Sequence, residues 1–259
     1  MENVNRAERL SLLRQKLTTF EKRDTDNCLK NQTPDALSRI FKQGAVHELY
    51  ASTAADAVAV NAFALMAGAM SSNGRRIVWA VHSMMISEFG DPYGGGIEEI
   101  GIETSEILFA KAPNIKSLLI IGEESLKTSS VGSVVISAWG DSKDLSLTAS
   151  RRLALAAKSE GATLFFMRAG AEPTPSAAET RWSVKATASV PLAGGAPGHP
   201  SFSLTLLRHR GGGEAKNWVL EWDRDARLFR EPAPLPRAVV PMAAQRPAEA
   251  RGESPRRVA

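Results

Sequence analysis

Few residues of this chain combine the type and spacing that chemistry needs. The run Tyr93-Gly94-Gly95-Gly96 could offer backbone N–H groups to a phosphate, but no strand precedes it and no Lys-Ser/Thr pair follows it, so a glycine turn is the plainer interpretation. His82 ends an apolar run and could act as a general base, although a lone histidine at a strand end is usually structural. Cys28 is the only cysteine and has no Cys or His neighbour at metal-ligand spacing. We therefore expect no metal site, no cofactor and no disulfide framework.

The composition is that of an ordinary globular protein. The chain has 259 residues, of which 43% are hydrophobic, which suffices for one sizeable core with length left for tails. A formal net charge of +4 permits contact with nucleic acid or with an acidic partner but requires neither. No apolar signal core opens the sequence and no apolar run reaches 18 residues, so we expect a soluble, cytoplasmic protein without a membrane segment.

Apolar runs alternate with helical patterns over the first two thirds of the chain. This alternation predicts βαβ units and a mostly parallel sheet flanked by helices. After residue 167 the apolar runs follow one another with only glycine turns between them, which predicts an antiparallel extension at one edge. The predicted helices are 54–70, 97–101, 113–127 and 146–160, and the predicted strands are 44–50, 76–81, 107–110, 133–138, 162–167, 182–189, 201–210 and 217–223.

Two terminal regions stand apart from this core, which we place at 33–230. Residues 4–23 carry apolar side chains at helical spacing, with Arg, Glu and Lys opposite them, and are followed by a polar linker at 24–32. This amphipathic helix folds back on its own domain or docks on a partner, and the pattern does not decide between the two. Residues 231–259 are rich in Pro, Ala and Arg and are predicted to be disordered. The apolar stripe consists of Val4, Ala7, Leu10, Leu13, Leu17 and Phe20.

The order of the elements, with a glycine before the first strand, resembles the RecA core. The segment from Leu207 to Phe229 is similar to the C-terminal hairpin of RecA-type and replicative-helicase cores. Within that superfamily the chain resembles the ImuA-type damage-inducible mutagenesis proteins over about residues 41–230. The residues that carry this resemblance are Phe41-x-x-Gly44-Ala-Val-His47-Glu48-Leu-Tyr50, Ile77-Val78-Trp79, Arg151-Arg152-Leu153-x-Leu155-Ala156-Ala157, Leu206-x-Arg208-x-Arg210-Gly211 and Glu221-Trp222-Asp223.

The resemblance implies a role in SOS-induced, error-prone translesion DNA synthesis. Proteins of this type act as accessory subunits with a Y-family-like polymerase and an error-prone replicative-type polymerase, and RecA is a further partner class. The SulA-type division inhibitors share a degenerate RecA-like core and are the alternative. They are shorter, however, and lack both the 4–32 extension and the long basic tail.

The resemblance also places a degenerate phosphate loop after the first strand. An intact loop reads G-x-x-x-x-G-K-[ST], where Lys neutralises the phosphates and the hydroxyl holds Mg²⁺. Here Ala51 takes the place of the first glycine, Asp56 of the second, Ala57 of the lysine and Val58 of the hydroxyl residue. Ser137 stands where an acidic residue would face Mg²⁺. We expect a protein that is not an enzyme, with a divergent ATPase as the remaining alternative.

The loops that hold single-stranded DNA in RecA-type proteins correspond to 139–144 and 169–176. The first has two acidic residues against one lysine, and the second has no basic residue. Phosphate contacts need Lys or Arg, so we expect DNA binding to be weak or indirect.

Partner contacts are expected instead from basic, aromatic and apolar residues outside these loops. Trp79 lies within an apolar strand and is assigned to the core, whereas Trp139 and Trp182 could lie at an interface. The partner-binding candidates are Leu10, Leu13, Leu17, Arg208, Arg210, Trp218 and Trp222.

Overall fold

A computed structural model describes residues 41–212 and 216–232 of the chain. The strands are β1 Val46–Ala51, β2 Arg76–His82, β3 Ile107–Ala112, β4 Val131–Trp139, β5 Thr163–Ala169, β6 Thr180–Ala186, β7 Ser201–His209, β8 Asn217–Asp223 and β9 Leu228–Arg230. The helices are α1 Ala57–Ser71, α2 Ser83–Phe89, α3 Gly94–Glu99, α4 Ile115–Leu126 and α5 Leu147–Glu160, with 3₁₀ turns at Ala54–Asp56, Thr104–Glu106 and Ala193–Gly195.

All nine strands belong to one sheet in the order β3-β2-β4-β5-β1-β6-β7-β8-β9. Strands β1 to β6 pair in parallel, and β7, β8 and β9 continue the sheet antiparallel. The predicted α/β architecture is thus confirmed: a mostly parallel sheet, flanked by helices, with an antiparallel C-terminal extension. The predicted helix at 4–23, its linker and residues 233–259 of the predicted tail lie outside the described residues.

The central strands are buried on both faces because alternate side chains enter two separate cores. On β4, Val135 packs with α1, whereas Val134 and Ile136 pack with α4 and α5. The helix boundaries follow local signals: Ser146 Oγ accepts a hydrogen bond from Ala149 N at 3.2 Å, and Gly161 ends α5 in the left-handed conformation.

Helix α1 lies at the centre of the fold and is buried on nearly all sides. A Cβ atom at Gly68 would lie 3.0 Å from Val135 Cγ2, so the glycine allows α1 to approach the sheet closely. By length and composition the stretch Ala54–Ser71 would suffice to cross a membrane, but 50% of it is buried in the fold, as in the core helix of a globular domain.

The sheet curls around α1 until its two ends come together. The Phe63 ring of α1 lies 4.8 Å from that of Phe229 on β9, measured between centroids. Trp222 Nε1 on β8 donates to Ile100 O at 2.8 Å, and Arg227 forms a two-pronged ion pair with Glu106, which precedes β3. The antiparallel extension therefore covers the side of α1 that the parallel strands leave open.

Between β2 and β3 the structure differs from the sequence prediction. Helix α2, Ser83–Phe89, was not predicted, and α3 begins at Gly94, inside the predicted glycine loop. Both are short helices that cover part of α1.

The start of β4 passes against the end of α1 at Gly132. A methyl group at this position would overlap the carbonyl group of Ser72, which is backbone and cannot rotate away. We expect Gly132→Ala to lower the free energy of unfolding by about 1–3 kcal/mol, measured by urea denaturation. Gly96→Ala is the control, because its methyl group would meet only Tyr93 Cδ1 at 3.5 Å and alanine favours the helix. Equal stability of the two variants would contradict this account.

Candidate functional site

The loop from Ala51 to Val58 follows the central strand β1 and leads into α1. It lies at the carboxyl end of the parallel sheet, where ligands bind in open α/β folds. Here the loop is attached to the neighbouring strand β6. Ser52 N donates to Val184 O at 3.1 Å, and the hydroxyl groups of Ser52 and Ser183 are 2.8 Å apart. These bonds hold the loop against the carboxyl end of β6.

The carboxylate of Asp56 accepts hydrogen bonds from donors of this loop and of β6. Its Oδ2 accepts from Thr53 N at 3.1 Å and from Thr53 Oγ1 at 2.8 Å, and its Oδ1 accepts from Ala186 N at 3.2 Å. Backbone N–H groups before a helix are the groups that bind anions in proteins. In this chain a side-chain anion already satisfies one of them, Thr53 N, together with Ala186 N on β6.

The two residues after Asp56, Ala57 and Val58, carry no group that could bind a phosphate. Ala57 is fully buried and faces the core, so a lysine here would bury its stem and ammonium group. Val58 is 54% exposed and presents only methyl groups to the space above the loop. The site offers a carboxylate and methyl groups, with no cation among these residues.

Removing the Asp56 carboxylate should destabilise the loop and the start of α1. We expect Asp56→Ala to lower the free energy of unfolding by about 1–2 kcal/mol, as for other lost helix caps. Asp144→Ala removes an exposed aspartate in another loop and should leave the stability nearly unchanged. Urea denaturation of both variants checks this, and an unchanged midpoint for Asp56→Ala would contradict the capping role.

Two other candidate residues lie at this end of the sheet, Ser137 and His82. The Ser137 hydroxyl accepts from Trp79 Nε1 at 3.0 Å and donates to Asn61 Oδ1 at 2.5 Å, inside the core. His82 Nδ1 is buried without a hydrogen-bond partner among the described residues, and burial lowers the pKa of His82. Over residues 41–212 and 216–232 no group of three or more His, Cys, Asp or Glu side chains could hold a metal ion.

A buried charged network lies beside this loop, on the face covered by α4 and α5. Arg181 Nε donates to Glu48 Oε2 at 2.9 Å, and the Tyr50 hydroxyl donates to the same oxygen at 3.4 Å. Arg168 donates to the Tyr50 hydroxyl at 2.9 Å and to Asp141 Oδ1 at 2.8 Å. Burial raises the pKa of Tyr50, which keeps this hydroxyl a donor.

This network holds two loops in place, 139–144 and 169–176. Asp141 of the first loop binds Arg168, and Arg181 binds Thr174 O and Ser176 Oγ of the second. The cavity beside Glu48 and Arg168 measures about 20 Å³, room for about one water molecule. The network therefore holds the loops in place and offers no room for a larger ligand.

The described partner-binding candidates fall into three situations. Arg208 and Arg210 are exposed, and Arg210 borders an open depression of about 710 Å³ together with Lys42 and Lys158. Trp218 is half-buried, with its ring 5.3 Å from that of Trp182. Trp222 is fully buried, so its ring is unavailable to a partner in this fold, and we remove it from the candidates.

Trp79 and Trp182 are both buried in the core. Trp79 is a core residue, as predicted, and Trp182 is fully buried, which excludes the interface role considered for it. Leu10, Leu13 and Leu17 lie outside the described residues. The structure thus leaves Arg208, Arg210 and Trp218 as accessible candidates among the described ones.

Comparison with known proteins gives little beyond the fold. No protein-family model matches the sequence, and no curated protein matches it. Among solved structures, the crystal structure of the RadB recombinase is similar, with 13% sequence identity, a TM-score of 0.47, and coverage of 74% of this chain and 93% of that chain. A similarity of this extent concerns the course of the backbone and carries no conclusion about activity or partners.

Proposed function

We propose that this chain is a non-catalytic accessory protein of SOS-induced, error-prone translesion DNA synthesis in the cytoplasm. It binds a Y-family-like polymerase, and an error-prone replicative-type polymerase and RecA are further partners. The observation that supports the non-catalytic part is the loop after β1, where the Asp56 carboxylate accepts hydrogen bonds from Thr53 N and Ala186 N.

The charge of this loop opposes nucleotide binding. A carboxylate about 5 Å from a phosphate charge costs roughly 3 kcal/mol at an effective dielectric constant near 20. A triphosphate would also have to compete for donors that Asp56 already uses. Ala57 supplies no compensating cation, and Ser137 is held by Trp79 and Asn61 within the core.

Isothermal titration with ATP and Mg²⁺ tests this part directly. We expect no saturable heat for the full chain at millimolar nucleotide. Asp56→Asn, which removes the charge and keeps the shape, should also fail to bind, because no lysine replaces Ala57. Micromolar affinity in the wild-type chain would overturn the proposal that it is not an ATPase.

Affinity purification from DNA-damaged cells tests the partner part. We expect the wild-type chain to recover a Y-family-like polymerase. Arg210→Glu should reduce that recovery, since it reverses the charge of an exposed residue beside Lys42 and Lys158. Arg151→Glu makes the same charge change on the exposed side of α5 and serves as the control.

Recovery of neither a polymerase nor RecA would count against the adaptor role. Filamentation of cells that overproduce the chain would instead favour the division-inhibitor alternative. The two assays use the same full chain, so their outcomes can be compared directly.

A further inference from the structure

The surface beside α1 carries an apolar groove that the proposed function does not use. The groove lies between α1 and the segment 83–106, which contains α2 and α3, and has a volume of about 290 Å³. Tyr93 is 79% exposed, Val58 54% and Phe89 39%, an unusual grouping of large apolar side chains. The groove is lined chiefly by Val58, Ala62, Met85, Phe89, Tyr93 and Ile97.

The segment that forms one wall of this groove is acidic, although only Asp91 among its carboxylates lines the groove itself. The segment 83–106 contains six carboxylates and no Lys or Arg. Asp91 is paired with Lys111, and Glu106 with Arg227. Within the described part of the chain the other four carboxylates have no ion-pair partner; they are Glu88, Glu98, Glu99 and Glu103.

The N-terminal part of this chain has the complementary character. Residues 4–23 contain six Lys or Arg and two Glu, and their pattern predicts a helix with one apolar stripe. The basic tail fits less well, since prolines recur between 232 and 255 and its pattern predicts no amphipathic helix. An apolar groove beside an acidic segment fits a basic amphipathic helix, both by shape and by charge.

The length of residues 24–40 is sufficient to reach the groove from the start of the described chain. Phe41 is 4% exposed and packs against Phe63 of α1, so the described chain begins on the face of the sheet that carries α1. Residues 24–40 can span up to roughly 55 Å when extended. Helix α1 is only about 22 Å long at 1.5 Å per residue, so the whole groove is within reach.

We infer that residues 4–23 of the same molecule dock as an amphipathic helix in this groove, with Leu10, Leu13 and Leu17 toward its apolar lining. Attachment through a short linker gives the segment an effective concentration in the millimolar range, so modest contacts suffice to hold it. The inference is independent of the proposed role in translesion synthesis.

Photo-cross-linking of the full chain tests the docking. A p-benzoylphenylalanine residue replaces Tyr93 in the groove, and in the control it replaces Leu155, which is 70% exposed on α5 at the other face of the sheet. We expect the probe at position 93 to attach to peptides from residues 4–23 in a product of monomer mass. The probe at position 155 should not attach to them.

Two variants separate the charge and the apolar contributions, each checked for folding by circular dichroism. Glu98→Lys/Glu99→Lys should lower the cross-link yield about fivefold by reversing two exposed charges on α3, beside the groove. Leu13→Glu/Leu17→Glu should abolish it, while Ser11→Glu/Gln15→Glu, which makes the same charge change opposite the stripe, should retain more of it. No cross-link above the control, attachment only to residues 231–259, or a product of dimer mass would overturn the inference.

Discussion

Replacing Arg181 by methionine is expected to lower the free energy of unfolding by about 3–5 kcal/mol. The side chains of Arg181 and Glu48 are only 10% and 5% exposed, and their ion pair is 2.9 Å long. Methionine fills similar volume but leaves the Glu48 carboxylate buried without its cation. It also removes the bonds from Arg181 to Thr174 O and Ser176 Oγ, which fix the 169–176 loop.

Urea denaturation of three variants would establish the cause of this loss. The double variant Glu48→Met/Arg181→Met should be more stable than Arg181→Met alone, because no charge is left buried. Arg230→Met is the matched control: its ion pair with Asp223 is 2.8 Å long, but its side chain is 55% exposed, and we expect at most about 1 kcal/mol of loss. Equal losses for Arg181→Met and Arg230→Met would contradict the account.

Acidification from pH 6.5 to pH 4 is expected to remove about 3 kcal/mol of stability through His47 alone. The imidazole is fully buried, and this desolvation lowers the pKa of His47 from 6.5 to about 4. Between the unfolded pKa of 6.5 and the folded pKa of about 4, His47 binds a proton in the unfolded chain but not in the folded chain. The contribution of His47 is therefore complete above about pH 6.5 and is lost as the pH falls through about 4.

Burial holds His47 neutral, and the hydrogen bonds around the ring fix its tautomer. Lys42 O can only accept, so His47 Nε2 carries the ring proton and donates to this oxygen at 3.0 Å. His47 Nδ1 then accepts from Thr180 Oγ1 at 2.7 Å, and Thr180 Oγ1 in turn accepts from Trp182 Nε1 at 2.7 Å. A second ring proton on Nδ1 would require the Thr180 hydroxyl group to turn its own proton away in a dry core.

Comparison of the wild-type chain with His47→Gln isolates this effect from other acid-sensitive groups. Urea denaturation at pH 7.5, 6.5, 5.5 and 4.5 should give a steeper loss for the wild type, by up to about 1.4 kcal/mol per pH unit. At pH 7.5 the free energy of unfolding of His47→Gln should be lower than that of the wild type, because the variant loses the bonds to Thr180 and Lys42. Below pH 7.5 its free energy of unfolding should fall less steeply. Parallel pH profiles would show that His47 does not titrate as described.

The sequence predicted strands β1 to β8 and the long helices because their signals are local, whereas the three-residue strand β9 was not predicted. The apolar runs of β4 and β5 need no knowledge of the rest of the chain, and Ser146 and Gly161 mark the ends of α5. The sequence did not predict helix α2 because the helix has only seven residues, of which only Met85 is buried. The sequence predicted helix α3 at 97–101, whereas it spans Gly94–Glu99, because its three glycines are poor helix formers and its position depends on packing of Ile97 and Ile100 against the α1 core.

The site was predictable in its residues but not in its contacts. Asp56 stood out as a carboxylate where the resemblance places a phosphate loop, yet one of its donors, Ala186 N, lies 130 residues away in the sequence. The Glu48–Arg181 pair is separated by 133 residues and depends on the pairing of β1 with β6. Side chains that meet across strands distant in sequence leave no mark on local patterns.

The curled sheet has a consequence for the order of events during synthesis. Helix α1 is apolar on nearly every side, and its last cover, Phe229, is translated about 160 residues after the helix ends. At 5–20 residues per second the ribosome needs roughly 8–30 s for that distance. Throughout that interval part of α1 remains uncovered, so a stall at any point before β9 is completed leaves an apolar surface that can aggregate or attract chaperones.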